Sequence, residues 1–304
     1  MSDVVHELKK NRTLFLMILP AVLITLVFSY IPMSGLILAF KDYRFDKGIF
    51  GSDWIGLDNF RFFFISGTGL RVTVNTVVYN LVNLITSQAL SVVVAIIITE
   101  MNAKYFKKLT QSLIFLPYFI SWIIVGAFVY NIFNVEYGTL NSVLRFFGKE
   151  PVNLYQMPKA WFFVIMIFNS WKWVGYNSVV YISAITGVDA SCYEAAEIDG
   201  ANIWQRIYYI TLPSIRPTIV IMLLLNVGRI MRGDFQMFYQ IVGNNGQLYN
   251  ATDVIDTFVF RSLTTSGDIG MTTAATLYQS VLCFIIITVV NGIVKRIEPD
   301  YALY

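Results

Sequence analysis

The stretch that decides the fold is Glu194-Ala-Ala-Glu-Ile-Asp-Gly-Ala201, which continues through Ile210-Thr-Leu-Pro213. It is a polar island between two strongly apolar segments. Ser191 and Glu194 have the spacing of a capping box, in which the hydroxyl accepts from the Glu194 amide and the carboxylate from the Ser191 amide. A short helix is therefore predicted to run to Gly200, a residue suited to the left-handed conformation that closes helices. Asn202, with Gln205 three residues on, is placed to cap a second short helix before Pro213 and Pro217 open the next apolar run. Ile203, Ile207 and Ile210 share one face of that second helix. The first carries small residues, Ala195, Ala196 and Gly200, which let a backbone lie close to another protein. Spacing alone leaves two readings open: an elbow that turns the chain at a membrane surface, and a docking element for a partner.

The flanking composition is that of a membrane protein. Of 304 residues, 56% are hydrophobic and only 13% charged, whereas a soluble domain carries about a quarter charged residues. Mean hydropathy is +0.62. A bilayer core needs roughly 20 apolar residues as helix, and six stretches qualify. They are Thr13 to Phe40, Val72 to Thr99, Leu109 to Val135 with a kink expected at Pro117, Ala160 to Val188, Pro213 to Gly228 and onward, and Met271 to Val294. The first is too long, and lacks the small-residue cleavage site, to be a signal peptide. The chain reads as all-α: one polytopic bundle of about six spans, residues 13–296, between short tails at 1–12 and 297–304. Lys9, Lys10 and Arg12, the Lys104–Lys108 turn, and Lys295 with Arg296 fall on one side, which the positive-inside rule makes cytoplasmic. Both termini and the polar island are then cytoplasmic, although Lys41, Arg44 and Lys47 fall outside. Trp54, Phe60 and Phe62–Phe64 read as anchors of the outer interface.

A net charge of +3 is too small to suggest nucleic acid, and the single histidine, His6, excludes a His-rich metal site. Cys192 lies in the island and Cys283 inside an apolar run, so no disulfide between them is expected. No phosphate-binding loop, His-Glu-x-x-His, Gly-x-Ser-x-Gly or Cys-x-x-Cys is present. The chain is not expected to be an enzyme, and uphill pumping would need an ATPase from another chain.

Glu194-Ala195-Ala196, Asp199-Gly200-Ala201, Ile210 and Leu212-Pro213 resemble the EAA motif of binding-protein-dependent ABC importer permeases, the family of maltose-type sugar permeases. Gly56-Leu-Asp-Asn-Phe60 and Asn75-Thr76 extend the likeness. Gly228-Arg-Ile-Met-Arg-Gly-Asp-Phe235 with Val254-Ile-Asp-Thr257 resembles the branch that imports oligosaccharides or polysaccharide fragments. The resemblance implies a cytoplasmic coupling helix within about 189–212, in which Glu194, Ala195, Ala196, Asp199 and Gly200 contact an ATPase. It implies a second permease chain, two ATPase subunits that use ATP and magnesium, and an extracytoplasmic solute-binding protein. It implies no cofactor in this chain, and alternating access in a bacterial cytoplasmic membrane.

Polar residues inside the spans are the candidates for a sugar path. Asn80, Asn83 and Ser87 recur on one helical face, where pore lining and interhelical bonding are both open readings. Lys172 lies mid-span between Trp171 and Trp173. A charge there costs about 3 kcal/mol, so it either pairs with a neighbouring helix or lines the path with those aromatics. Arg229, Arg232 and Asp234 follow an apolar stretch too short to cross alone, which places them in the outer half of span five. They read either as an Arg–Asp tie to a neighbour or as a cationic selector that favours acidic saccharides. The rival functions are an ion-coupled secondary sugar transporter and a membrane enzyme acting on lipid-linked sugars. The first would need acids within the spans, and only Asp234 is available; the second would need clustered catalytic acids or a metal site.

Overall fold

The structure is a computed structural model that describes residues 10–65 and 67–297. His6 and Lys9, the rest of the tail up to residue 9, residue 66, residues 298–304 and the side chains of Phe62 and Ile297 lie outside that description. The chain is helical nearly throughout. The first rod, α1 (Arg12–Phe40), tightens into a 3-10 helix from Ile31. A two-stranded ribbon pairs Lys41 with Trp54, and α2 (Asp58–Ile65) leads into the 33-residue α3 (Thr68–Glu100). Then come α4 (Lys104–Phe119), α5 (Trp122–Phe133), α6 (Thr139–Phe146) and the 29-residue α7 (Pro158–Thr186). The polar island forms α8 (Ala190–Ile198), followed by α9 (Ile203–Val227), α10 (Phe235–Val242), α11 (Ile255–Arg261) and α12 (Ile269–Ile297).

Four of these rods, α1, α3, α9 and α12, are long and apolar enough to cross a membrane, and α4 with α5 makes a fifth if the bent pair counts as one span. The sixth follows from packing. Residues of α3 and α7 meet in ascending order, Tyr79 with Phe162, Asn83 with Asn169, Ser87 with Asn177, so the two helices run side by side in the same direction. If α3 crosses, α7 crosses with it, and α4–α5 must carry the chain back between them. The mid-helix polar residues of α7 lower its hydropathy without shortening it.

Two spans are interrupted. Between α4 and α5 the axis turns by 93°. Pro117 sits in a 3-10 turn, Leu116–Phe119, and cannot donate to the helix ladder. Ile120 and Ser121 are then extended, and the Ser121 hydroxyl caps the restarted helix at the Ile124 amide. Span five begins at Ile203, ten residues before the predicted Pro213, because a π turn at Ile207–Thr211 carries the rod into both prolines. The predicted second short helix is therefore the first turn of α9. Its capping box forms in both halves, at 3.0 and 2.7 Å. The helix stops at Val227, and residues 228–234 are a non-helical turn before α10. Arg229, Arg232 and Asp234 thus lie in a break and not along the outer half of a continuous helix.

The core follows these pairings. Tyr79, Trp122, Val125, Trp161, Ile165 and Phe238 knit α3, α5, α7 and α10 together. Val92, Ala95, Ile98, Tyr181 and Ile215 do the same for α3, α7 and α9 towards the end that carries α8. Phe63, taken from sequence as an interfacial anchor, is 1% exposed in a third cluster with Val72, Met231 and Ile255. Trp54 does stay exposed.

Candidate functional site

A cavity of about 600 Å³ opens where the interrupted spans meet α3 and α7. Asn80, Asn83, Ser87 and Gln88 line it from α3, and Asn169, Trp173, Tyr176 and Asn177 from α7. Asn226, Arg229, Arg232 and Asp234 close it from α9 and the turn beyond. Seven of the nine sequence candidates for the path therefore share one wall system: Asn80, Asn83, Ser87, Trp173, Arg229, Arg232 and Asp234.

The other two do not reach it. Lys172 is 6% exposed, and its ammonium donates to the carbonyls of Pro117 at 3.4 Å, of Tyr118 at 3.0 Å and of Ile120. It also lies 5.2 Å from the Trp122 ring centroid. These carbonyls lie where span three breaks, and although that of Pro117 also accepts from the Ile120 amide at 3.1 Å, the cation serves as a C-terminal cap for the bend. Trp171 is exposed on another face, edge-on to Phe168.

Asp234 makes no ion pair with the arginines. One oxygen accepts from the Met237 amide at 3.0 Å, capping α10, and the other from the Trp122 indole at 2.9 Å. This bond ties the two breaks together at one level. Among the described residues no carboxylate lies within ion-pair distance of Arg229 or Arg232, and both are exposed towards the cavity. The α3 amides are partly engaged: Asn83 accepts from Asn169 at 2.9 Å and Ser87 from Asn177 at 3.1 Å. The residues of that stripe bond between helices and also line the cavity. Sequence reasoning missed Asn169, Tyr176 and Asn177. Their signal was the i, i+4, i+7, i+8 spacing with Trp173, one face of α7.

The second site is the elbow. Most of α8 is exposed, including Glu194, Ala195 and Ile198 (87%), and so are Asp199 and Gly200 just beyond it and Trp204 (77%). Ser191 does not form the predicted capping box. Asp189 caps α8 instead, accepting from the Ser191 amide at 2.9 Å, because a carboxylate is the stronger acceptor at a helix start. Hydrogen bonds from Ser191 hold the Asp189 carboxyl below the usual carboxylate range. Gly200 has φ +77°, the left-handed close expected of it. The elbow is fastened to the spans at two points. The Tyr193 hydroxyl bonds that of Thr211 at 3.0 Å, and Arg206 bridges Glu197 at 3.8 Å and Glu100, the last residue of α3, at 3.6 Å. These contacts join α8 to both α9 and α3. Cys192 and Cys283 are free thiols.

Long helices around a polar mid-span cavity, with an exposed elbow tied to two of them, define a membrane permease. Residues 91–301 match the family described as the binding-protein-dependent transport system inner membrane component, and the chain belongs to that family. It is an integral cytoplasmic-membrane protein, a permease and not an enzyme. It is 32% identical to the polygalacturonan/rhamnogalacturonan transport system permease protein YteP of Bacillus subtilis, over 97% of this chain and 91% of that one. It is 28% identical to the trehalose/maltose transport system permease protein MalF of Thermococcus litoralis, over 94% of each. A chain of a bacterial ABC transporter involved in the import of the acidic polysaccharide alginate superposes with a TM-score of 0.89 at 30% identity. That match covers 97% of this chain and 99% of the other.

Proposed function

We propose that this chain is a permease subunit of an ATP-driven importer of acidic oligosaccharides or polysaccharide fragments. The observation that carries the substrate class is the cavity lined by Arg229 and Arg232, neither of which is in an ion pair among the described residues. Guanidinium groups bind carboxylates in bidentate fashion, amides bond hydroxyls, and the faces of Trp173 and Tyr176 suit the C–H surface of a sugar ring. Relatives named for polygalacturonan and alginate transport support the same class.

The partners are those that membership of the binding-protein-dependent family implies. An ATPase pair supplies ATP hydrolysis with its magnesium, a second permease closes the open side of the path, and an extracytoplasmic binding protein delivers the sugar. Glu194, Ala195, Ala196, Asp199 and Gly200 form the ATPase contact, on a cytoplasmic face that also holds both termini. Closure of the ATPases moves α8, and the Tyr193–Thr211 and Arg206–Glu100 contacts pass that motion to α9 and α3.

The test is uptake of oligogalacturonides by the assembly in liposomes. Wild type accumulates them only when ATP and the ATPases are present. Gly200→Val is expected to abolish uptake while the chain still inserts. No atom lies within 4 Å of an added Cβ there, so the fault would be conformational: a non-glycine residue in the left-handed region costs roughly 1–2 kcal/mol, most for a β-branched one. Accumulation by this chain alone against a gradient would sink the proposal.

A further inference from the structure

Non-helical backbone within a bundle must find partners for every amide and carbonyl that the helix no longer satisfies. The turn 228–234 finds them in side chains from three other helices, and a fourth helix holds its last side chain. Asn80 of α3 donates to the Ile230 carbonyl at 2.8 Å and to that of Arg232 at 3.1 Å. Gln279 of α12 donates to the Met231 carbonyl at 2.6 Å and to Asp256 at 3.0 Å. The same Asp256 oxygen, on α11, accepts from the Gly233 amide at 2.7 Å. Trp122 of α5 holds Asp234. Residues 230 to 234 are therefore each gripped from outside the turn, and the Met231 side chain is fully buried beneath it.

A continued helix would have satisfied these groups by itself, so the break has another use. Arg229 and Arg232 are the cations of this turn that line the cavity, beside Asp234, whose oxygens are taken by the Met237 amide and the Trp122 indole. Holding their backbone removes ordering that a carboxylated ligand would otherwise have to impose. Gln279 and Asp256 do not line the cavity, and they reach a sugar only through the arginines. Resting on the proposal that the cavity passes acidic sugars, we infer that Asn80, Gln279 and Asp256 are positioning residues for carboxylate selection. They set the register of Arg229 and Arg232, and selectivity for uronic acids over neutral sugars depends on that register.

Space around the turn offers an independent handle. A Cβ on Gly233 would lie 3.0 Å from Val254 Cγ2 and 3.1 Å from Asp256 Oδ2. Gly233→Ala therefore shifts the turn while keeping every donor and acceptor.

The probes are trigalacturonate and its methyl ester, which differ in charge, with uptake measured in the complete assembly for wild type, Gln279→Leu, Gly233→Ala and Arg232→Gln. Both positioning variants are expected to raise KM for the free acid about tenfold, the size of one or two lost hydrogen bonds, with little change for the ester. A merely structural role lowers the maximal rate for both probes alike and leaves KM in place. Should Gln279→Leu fail to fold, Gly233→Ala decides. If Arg232→Gln abolishes the preference for the acid while the positioning variants keep it, the inference is overturned and the reading of the cavity stands. If wild type has no preference, both fall.

Discussion

Replacing Lys172 with methionine tests the architecture at its most exposed point. The side chain keeps its length and apolar stem, but three carbonyls at the break in span three lose the ammonium, and of these Pro117 keeps the Ile120 amide as a donor. Hydrogen bonds from a charged donor contribute about 1.5–3 kcal/mol each, giving roughly 4.5–9 kcal/mol for three. Against this, an ammonium in mid-span costs about 3 kcal/mol, which methionine recovers. The net loss lies near 2–3 kcal/mol, at the low end, because Tyr118 and Ile120 present their carbonyls at a part-buried site that water can reach. Trp122 adjoins this cation and bonds Asp234, so the fault should spread to the arginine turn. Reversible unfolding of the variant in mixed micelles is the first measurement, and a spin-label distance across residues 115 and 128 the second. The expected result is a 30- to 100-fold fall in the folded ratio, from ~1.4 kcal/mol per factor of ten, with a broadened distance distribution. Wild-type stability together with an unchanged distance would refute the capping role.

Three further outcomes are expected. Gly175→Ala puts a Cβ 2.0 Å from the Ile114 carbonyl, so α4 and α7 must part, and a loss of about 1–3 kcal/mol should appear in the same unfolding assay. Gly126→Ala, 2.4 Å from the Gln240 carbonyl, should separate α5 from α10 and can be read as faster exchange of the α10 amides. At the elbow, bonds from Ser191 lower the Asp189 pKa in the folded chain. Their contribution is complete above the ordinary carboxylate pKa of about 4 and is lost as pH falls through the lower folded value. Protection of the first-turn amides of α8 should survive at pH 5 and vanish only in strong acid, whereas Asp189→Ala should lack it at neutral pH.

The spans, their approximate number and the elbow were legible in the sequence because each depends on local quantities. Runs without charge, a glycine where the chain turns left-handed, and Asn202 with Gln205 at capping distance act within a few residues of one another. The kink at Pro117 was legible for the same reason, since a missing amide is a property of one residue. Asp189 was overlooked as the cap because two acceptors competed for one helix start, and the carboxylate prevailed over the hydroxyl.

What only tertiary structure decided was the work of each polar group inside the spans. Lys172 and Trp173 are adjacent in sequence, yet one caps a broken helix and the other faces the cavity. Asp234 looked like a partner for two arginines and instead joins α5 to α10. A buried charge has to be satisfied, which composition states plainly, but its partner stands on another helix more than fifty residues away. Packing chooses that partner, and in choosing it leaves Arg229 and Arg232 outside any ion pair among the described residues.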